Sequence, residues 1–258
     1  MNLERIEREV NTQGFSIVED IVSAEEIAVM KAELAEAIER DAKLHDGMPG
    51  KRYDIIFDMV TAGCPSFVKL IENEKMRTVF NHFLSDTCIL YSYTSTFMLP
   101  NAYKQQTANI HVDAPRIIPN YHSGFMMTLA LDEFTEENGA TYYLAGSQNR
   151  LDRPSEDEFY ANAVRVCRPA GAAVFFNPRC WHAGGTNHTD KIRMGATTYA
   201  VRSFMRQRFD FPRMVNGDVL SQLSDSGRQF LGFNVRVPTA MNEYYVPADQ
   251  RLYKGGQG

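Results

Sequence analysis

Apolar residues recur at three- and four-residue spacings through the first third of the chain, which is the spacing of helices that bury one face. The clearest helix begins with a capping box formed by Ser23 and Glu26. Its apolar positions are Ile27, Met30, Leu34, Ala37 and Ile38. Shorter elements are predicted at four places, as helices over 3–10, from Pro65 and over 76–84, and as a strand over 14–18. The pattern therefore predicts a helical layer over about residues 1–86.

From about residue 86 the pattern changes to short runs rich in β-branched and aromatic residues, which predict strands. These runs cover residues 88–99, 125–131, 141–144, 172–176 and 194–204. No helical pattern separates them, so we expect an antiparallel barrel or sandwich over about residues 87–210. The last segment, about 211–258, contains a predicted helix over 218–231, stopped by Gly232. With no repeat and no flexible linker, the sequence predicts a single α+β domain over residues 1–258.

Composition narrows the classes of partner. The chain has 258 residues and a net charge of −5, a balance that argues against a protein that neutralises nucleic-acid phosphates. It leaves open a small anionic substrate in a locally basic pocket. No apolar run approaches the roughly 20 residues needed to cross a bilayer, and no apolar signal segment follows Met1. The four cysteines form no C-x-x-C pair. We therefore expect a cytoplasmic protein with neither a membrane nor a nucleic-acid partner.

One short spacing is typical of a metal site, the H-x-D of His111 and Asp113. Residues two apart on a strand point to the same face, so these residues present an imidazole and a carboxylate side by side. A further histidine, His182, follows an apolar strand and a turn. If it lies opposite the H-x-D strand, the three form a facial triad that leaves three adjacent metal positions open, as in non-haem Fe(II) oxygenases. The alternatives without a metal are that His111 and Asp113 form a surface pair on a strand and that His182 is a buried core residue.

Arg193 follows His182 by eleven residues. A guanidinium on the next strand is able to fork onto the far carboxylate of a dicarboxylate that is chelated at the metal. The simpler alternative is an exposed strand arginine.

Three segments together resemble the phytanoyl-CoA hydroxylase-like (PhyH) family of Fe(II)/2-oxoglutarate-dependent dioxygenases. They are the H-x-D at His111, residues 137–148 and residues 182–193. The second segment is similar to the family's N-G-x-(three to five residues)-P-G-S-H, and the third to its H-x-G-x-x-N-x-S/T-x-x-x-R. Here P-G-S-H reads Ala-Gly-Ser-Gln at 145–148. This departure removes no expected metal ligand, but it puts in doubt a role for that final histidine near the substrate.

The resemblance implies a double-stranded β-helix (jelly-roll, cupin-like) core with the N-terminal helices packed on one sheet. It implies that His111, Asp113 and His182 ligate Fe(II), that 2-oxoglutarate chelates the iron, and that O2 takes the last open position. Because halogenating relatives replace the triad carboxylate with Gly or Ala, the presence of Asp113 favours oxygen transfer.

The resemblance also implies roles for residues around the co-substrate. Arg193 pairs with the 5-carboxylate of 2-oxoglutarate, and Thr141 is the candidate for a helping hydroxyl. Asn109, two residues before His111, is a candidate contact on the 1-carboxylate side. Cross-strand packing for Thr141 and a strand-end role for Asn109 are the structural alternatives.

The activity implied is hydroxylation or desaturation of an unactivated C–H of a small organic molecule, in secondary-metabolite tailoring or catabolism, with release of succinate and CO2. Two other classes stay open. One is a cupin-like metalloprotein with non-redox chemistry, which has no need for Arg193. The other is a non-catalytic sensor of iron and 2-oxoglutarate. The sequence carries no signal for an oligomeric state.

The loop after the H-x-D carries three candidate substrate contacts, Arg116, Tyr121 and His122. Loops at a barrel mouth commonly contact substrates, whereas a solvated loop is the structural alternative. A basic run also follows the last predicted strand, with Arg202, Arg206, Arg208 and Arg213. This run is able to attract an anionic substrate, and a solvated strand end is its simpler interpretation.

Overall fold

The computed structural model describes residues 1–101 and 108–257. Its first five α-helices are α1 (Leu3–Gln13), α2 (Ala24–Leu44), α3 (Pro65–Leu70), α4 (Glu74–Leu84) and α5 (Glu156–Asn162). Four short helices follow, α6 (Phe211–Met214), α7 (Gly217–Ser221), α8 (Asp225–Phe230) and α9 (Met241–Tyr244). The strands are β1 (Phe15–Val18), β2 (Ile55–Ile56), β3 (Ile89–Met98), β4 (Gly124–Ala130), β5 (Tyr142–Tyr143), β6 (Val164–Arg165), β7 (Ala173–Phe176), β8 (His182–Ala183) and β9 (Arg193–Val201).

Two antiparallel sheets form the centre of the fold. The larger sheet has six strands in the order β1-β7-β4-β9-β3-β2, and the smaller has three in the order β6-β5-β8. The longest ladder joins β3 to β9, from Ile89 opposite Val201 to Met98 opposite Arg193. The predicted α+β class with antiparallel strands is confirmed, but the expectation that no helix separates the strands is wrong, since α5 lies between β5 and β6.

The larger sheet has a helix-facing side and a cavity-facing side because side chains alternate along its strands. In β4, Phe125 and Met127 belong to the main buried core, where Phe80 of α4 meets Phe125 edge-on with ring centroids 6.4 Å apart. The intervening Met126 and Thr128 line a cavity on the other side. The helices therefore pack on one face of this sheet, and the opposite face is left for a binding site.

The local signals for α2 act as the sequence predicts. The Ser23 hydroxyl accepts the Glu26 N–H at 3.2 Å, and the Glu26 carboxylate accepts the Ser23 N–H at 2.9 Å, which completes the capping box.

None of the helices in the described ranges has both the length and the apolar character needed to cross a bilayer.

The prediction of one helix over 218–231 is wrong, because α7 and α8 are separate. Ser224 interrupts the run as a new N-cap, its side chain accepting the N–H of Gly227 at 3.2 Å. Glu72 holds Ser224 in this role by accepting hydrogen bonds from its N–H and its hydroxyl, both at 2.8 Å. A tertiary contact with Glu72, which follows α3 along the chain, therefore overrides the local helical pattern.

Candidate metal centre and active cavity

Three metal-donor side chains meet at one point of the structure. The ligating atoms of His111, Asp113 and His182 all lie within 4.8 Å of one another. Nε2 of His182 lies 3.3 Å from one carboxylate oxygen of Asp113, and Nε2 of His111 lies 3.7 Å from the other. Two imidazole nitrogens and a carboxylate gathered in this way are the donor set of a facial triad.

Backbone pairing brings the two histidines together. His111 and His182 form an antiparallel bridge in which the N–H of each donates to the carbonyl of the other at 3.0 Å. The expectation that the H-x-D lies on a strand is only partly met, since this bridge is isolated. The reason is that the N–H groups of Asp113 and Ala114 both donate to the carbonyl of Pro178, in the turn before β8. The position of His182 opposite His111 is as expected.

Hydrogen bonds at the far side of each ring set the orientation of the imidazoles. Nδ1 of His111 lies 2.7 Å from the carbonyl oxygen of Asn109, and Nδ1 of His182 lies 3.0 Å from that of Cys180. Because a carbonyl only accepts, each Nδ1 carries the proton and each Nε2 presents a lone pair. Burial, reinforced by the nearby His111, lowers the pKa of His182 to about 4, so this ring is neutral at pH 7.

Aromatic rings enclose His182 on its buried side. Tyr143 stacks on the imidazole with centroids 5.5 Å apart, and Phe176 meets it edge-on at 5.3 Å. His182 is only 7% exposed, whereas Asp113 is exposed. The donor atoms are therefore reached from the cavity side and not through the core.

The triad lies on the wall of a cavity of about 510 Å³ that is lined by residues of both sheets. Thr94, Thr197 and Thr128 lie in register on the adjacent strands β3, β9 and β4 and face this space. The hydroxyl oxygens of Thr128 and Thr197 are 3.3 Å apart. The volume and the mixture of apolar walls with a few polar groups are typical of small-molecule sites.

Arg193 is a buried cation on the same wall. It is 5% exposed, it donates one hydrogen bond to the carbonyl of Gly139 at 2.6 Å, and its guanidinium lies 3.8 Å from the centroid of the Phe134 ring. Its Nε is buried without a hydrogen-bond partner, and it forms no ion pair within the described ranges. Burial, and then the charge of Arg168, lowers the pKa of Arg193 to about 9, which leaves it protonated at pH 7. A poorly compensated cation thus faces the cavity.

The two remaining co-substrate candidates are placed differently. Thr141 is half-buried and lines the same cavity as Arg193. Asn109 is exposed and lies outside the cavity wall. The contact that it makes with the site is through its backbone carbonyl, which accepts from His111.

The structure does not bring Arg116, Tyr121 and His122 to the cavity. Arg116 and Tyr121 are exposed, and the guanidinium of Arg202 lies 4.4 Å from the centroid of the Tyr121 ring. His122 packs edge-on against Phe83 of α4 at 5.3 Å, on the helical side of the sheet.

Several wall residues escaped the sequence reasoning. Tyr199 lies on the same face of β9 as Arg193. Because every second residue of a strand points to the same side, the sequence could have placed Tyr199 beside Arg193. Phe134 also lines the cavity but lies outside the long strands where alternation applies, and Arg208, which the sequence named only as part of the basic run, lines it too. Arg168, between β6 and β7, reaches the back of Phe134, with its guanidinium 4.1 Å from the ring centroid.

Two relatives share sequence with all or most of the chain. The protein Rv1501 of Mycobacterium tuberculosis (strain ATCC 25618 / H37Rv) is 29% identical over 269 residues, covering 100% of this chain and 96% of the relative. The dioxygenase FrzG of Cladobotryum sp. is 25% identical over 218 residues, covering 76% of this chain and 69% of the relative.

Solved structures share the fold at lower identity. EctD from S. alaskensis, determined with 2-oxoglutarate and 5-hydroxyectoine, has a TM-score of 0.66 at 17% identity and covers 78% of this chain and 76% of its own. The 2-oxoglutarate-dependent carbocyclase SnoK from nogalamycin biosynthesis has a TM-score of 0.62 at 19% identity, covering 87% and 93%. These likenesses confirm the predicted double-stranded β-helix core with helices packed on one sheet.

The model of the family described as Phytanoyl-CoA dioxygenase (PhyH) matches residues 10–195, which is more than half of the chain and includes the triad and Arg193. The chain therefore belongs to the phytanoyl-CoA dioxygenase family and is an enzyme of the Fe(II)- and 2-oxoglutarate-dependent dioxygenase class, as its sequence motifs predicted.

Proposed function

We propose that this enzyme hydroxylates or desaturates an unactivated C–H of a small organic molecule, in secondary-metabolite tailoring or catabolism, and releases succinate and CO2. One observation supports this proposal above the others. Three metal donors share the wall of a single cavity with a buried arginine that has no acid partner among the described residues. The cavity volume of about 510 Å³ fits a small substrate beside the co-substrate.

The donor set fits Fe(II). Two imidazoles and one carboxylate suit this ion, and the two Nδ1–carbonyl hydrogen bonds hold the histidine rings in one orientation. The nearby thiol of Cys180 is turned away, since its sulfur lies 3.5 Å from the carbonyl oxygen of Leu144. His111, Asp113 and His182 are therefore the residues that would hold the ion.

Arg193 fits the distal carboxylate of 2-oxoglutarate. In the part of the chain that the structure describes, its Nε has no hydrogen-bond partner and its guanidinium forms no ion pair, which leaves a charged donor for an anion in the cavity. Thr141 would add a hydroxyl on the same wall. When bound, the iron and the keto acid supply the oxidising chemistry, which this protein's side chains have no means to perform.

The chain's own residues position the reactants and exclude water. The Nδ1–H groups of His111 and His182 stay bound to backbone carbonyls, so the rings do not rotate when a ligand enters. Tyr143 and Phe176 close the buried side of His182. Arg193 fixes one end of the co-substrate, which orients the keto acid relative to the triad.

The proposal is tested by loading the protein with Fe(II) anaerobically, adding 2-oxoglutarate and a metabolite library, and measuring succinate and oxidised product after admission of air. We expect succinate from the natural chain and from His188→Gln, since His188 is exposed and does not line the cavity. We expect none from His182→Gln. Product masses distinguish hydroxylation, a gain of one oxygen, from desaturation, a loss of two hydrogens.

Two further measurements distinguish this function from the two other classes. Full activity of Arg193→Ala without 2-oxoglutarate indicates a cupin-like metalloprotein with non-redox chemistry. Tight binding of iron and 2-oxoglutarate with no succinate for any substrate indicates a sensor.

The four cysteines are free thiols, three of them buried, which supports the cytoplasmic location that we propose.

A further inference from the structure

The charges on the cavity wall do not balance. Its charged lining residues are Arg52, Arg193 and Arg208 on the positive side and Asp113 alone on the negative side. This excess of positive charge belongs to a protein with a net charge of −5. The excess is therefore local to the cavity, where it acts on whatever enters.

Two of the three arginines have partners already assigned. Arg52 forms a two-pronged ion pair with the buried Asp54, with nitrogen–oxygen distances of 3.0 and 2.7 Å. Arg193 pairs with the dicarboxylate co-substrate under the proposed function. In the described ranges, Arg208 forms no ion pair and its guanidinium donates no hydrogen bond to the protein. One positive charge is thus left for the substrate.

Arg208 is held in place although its guanidinium is free. Its backbone N–H donates to the carbonyl of Tyr91 on β3 at 3.1 Å, and the side chain of Gln207 donates to the neighbouring carbonyl of Leu90 at 2.7 Å. The guanidinium lies 5.1 Å from the centroid of Phe57 and 5.8 Å from that of Phe209. Stacking on aromatic rings occupies the face of a guanidinium and leaves its edge N–H groups available.

A line of side chains connects Arg208 to the metal centre. Tyr91, whose carbonyl holds Arg208, has its ring 4.9 Å from the ring of Tyr199. Tyr199 lines the same cavity as Asp113 and His182 of the triad. A molecule that spans from Arg208 across the two tyrosines therefore reaches the triad.

The other arginines of the basic run are placed elsewhere. Arg202 donates to the carbonyl of His122 at 2.9 Å, and Arg213 pairs with Asp210 at 3.3 Å. Arg206 is exposed and lines only a separate outer groove. Arg208 is also exposed and also borders that groove, but within this basic run it is the residue that lines the catalytic cavity as well and whose guanidinium has no hydrogen-bond partner in the described ranges.

We propose that Arg208 binds a carboxylate of the substrate and that the enzyme acts on a small organic acid carrying one such group. The inference rests on the proposed function and narrows its substrate class. A single free charge favours a carboxylate over a phosphate monoester, which carries nearly two charges at pH 7. The body of the acid lies along Tyr91 and Tyr199, with the carbon to be oxidised at the triad.

The test measures selectivity for charge and needs no knowledge of the natural substrate. The probes are hydroxylated and amino-substituted aliphatic and aromatic carboxylic acids of three to nine carbons, each matched with its primary amide and with a phosphate monoester of similar size. Binding is measured by saturation-transfer NMR on the full chain, loaded with Zn(II) and saturated with 2-oxoglutarate. We expect the best acid to bind about tenfold more tightly than its amide, the scale of one charge-assisted hydrogen-bond pair at a partly exposed site.

Variants assign this preference to one residue. Arg206→Gln keeps the acid-to-amide ratio, Arg208→Lys retains part of it, and Arg208→Gln brings it close to one. Acid and amide are compared on the same variant, so a general loss of affinity or of folded protein lowers both bindings and leaves their ratio unchanged. Equal binding of acids and amides by the natural chain, a preference that survives Arg208→Gln, tighter binding of phosphate monoesters, or a panel in which no acid binds overturns the inference.

Failure of the proposed function shows in a different measurement. Under anaerobic conditions, the natural chain with Fe(II) should develop a visible charge-transfer absorption when 2-oxoglutarate is added. Absence of that absorption overturns the proposed function, whereas its presence together with a flat acid-to-amide ratio overturns only the assignment of Arg208.

Discussion

The guanidinium groups of Arg168 and Arg193 lie against the same phenyl ring, that of Phe134, at 4.1 and 3.8 Å from its centroid. Both arginines are buried, with exposures of 4% and 5%, and neither forms an ion pair in the described part of the chain. A buried cation without an acid partner costs several kcal/mol of folding free energy. An anion bound in the cavity is therefore expected to stabilise this fold.

Replacing Arg193 with Met is expected to stabilise the ligand-free protein and to abolish its response to 2-oxoglutarate. Removal of an uncompensated buried charge raises the free energy of unfolding by about 1–3 kcal/mol, measured by urea denaturation. Loss of the charged donor weakens binding of 2-oxoglutarate by about a hundredfold or more, measured by calorimetric titration. Arg153→Met, at an exposed position, is the matched control and should change neither quantity. A destabilised Arg193→Met protein would show that the charge is compensated by some other group.

Arg168 is expected to strengthen 2-oxoglutarate binding without touching the ligand. Its two terminal nitrogens donate to the carbonyls of Val166 and Thr128 at 3.3 and 3.2 Å, and it does not line the cavity. Its charge still attracts an anion beside Arg193. Arg168→Met should therefore weaken 2-oxoglutarate binding about fivefold, whereas Arg168→Lys should retain most of the affinity. High salt should leave the effect nearly intact, because buried charges are poorly screened. Equal affinities in Met and Lys variants would assign Arg168 a purely structural role.

The contrast between these two arginines shows what the sequence was able to predict. Arg193 was found from its eleven-residue distance to His182, which carries a family pattern. Arg168 has no such pattern, and its contact with Phe134 joins residues far apart along the chain. The long strands and α2 follow from alternation, helical spacing and a capping box, which are all local signals. Contacts set by the packing of remote segments have no local signal.

The same distinction between local signals and remote contacts explains two of the expectations that the fold corrects. The helix over 218–231 is interrupted because Glu72 fixes Ser224 as a cap, which is a contact across 152 residues. The H-x-D segment leaves the strand after one bridge because Pro178 takes its next two N–H groups. In each case local propensity was read correctly, and a hydrogen bond from a distant segment decided the outcome.

Asp113→Asn is expected to weaken metal binding about a hundredfold while leaving the fold intact. The amide keeps the shape of the side chain but removes the negative charge that two imidazoles and a divalent cation require. Metal affinity is measured by Co(II) titration, and far-ultraviolet circular dichroism monitors the fold. Glu137→Gln, which removes an exposed carboxylate away from the cavity, is the control. Unchanged Co(II) affinity in Asp113→Asn would remove Asp113 from the donor set.

Gly124→Ala is expected to displace Tyr199 and to destabilise the protein by about 1–3 kcal/mol, the usual range for overpacking. A Cβ at Gly124 would lie 2.5 Å from a ring carbon of Tyr199 and 2.9 Å from its hydroxyl oxygen. Gly217→Ala is the matched control, since a Cβ there meets no atom within 4 Å. Both effects on stability are measured by urea denaturation.

A double-mutant cycle assigns the clash to its partner. In a Tyr199→Ala background the added methyl group has room, so Gly124→Ala should cost close to nothing there. Co(II) binding should survive Gly124→Ala, because the donors of the triad come from other segments of the chain, whereas turnover of any substrate that lies along Tyr199 should fall. If Gly124→Ala lowers the free energy of unfolding as much in the Tyr199→Ala background as in the natural chain, the clash does not involve Tyr199. It would then lie with other neighbours of β4.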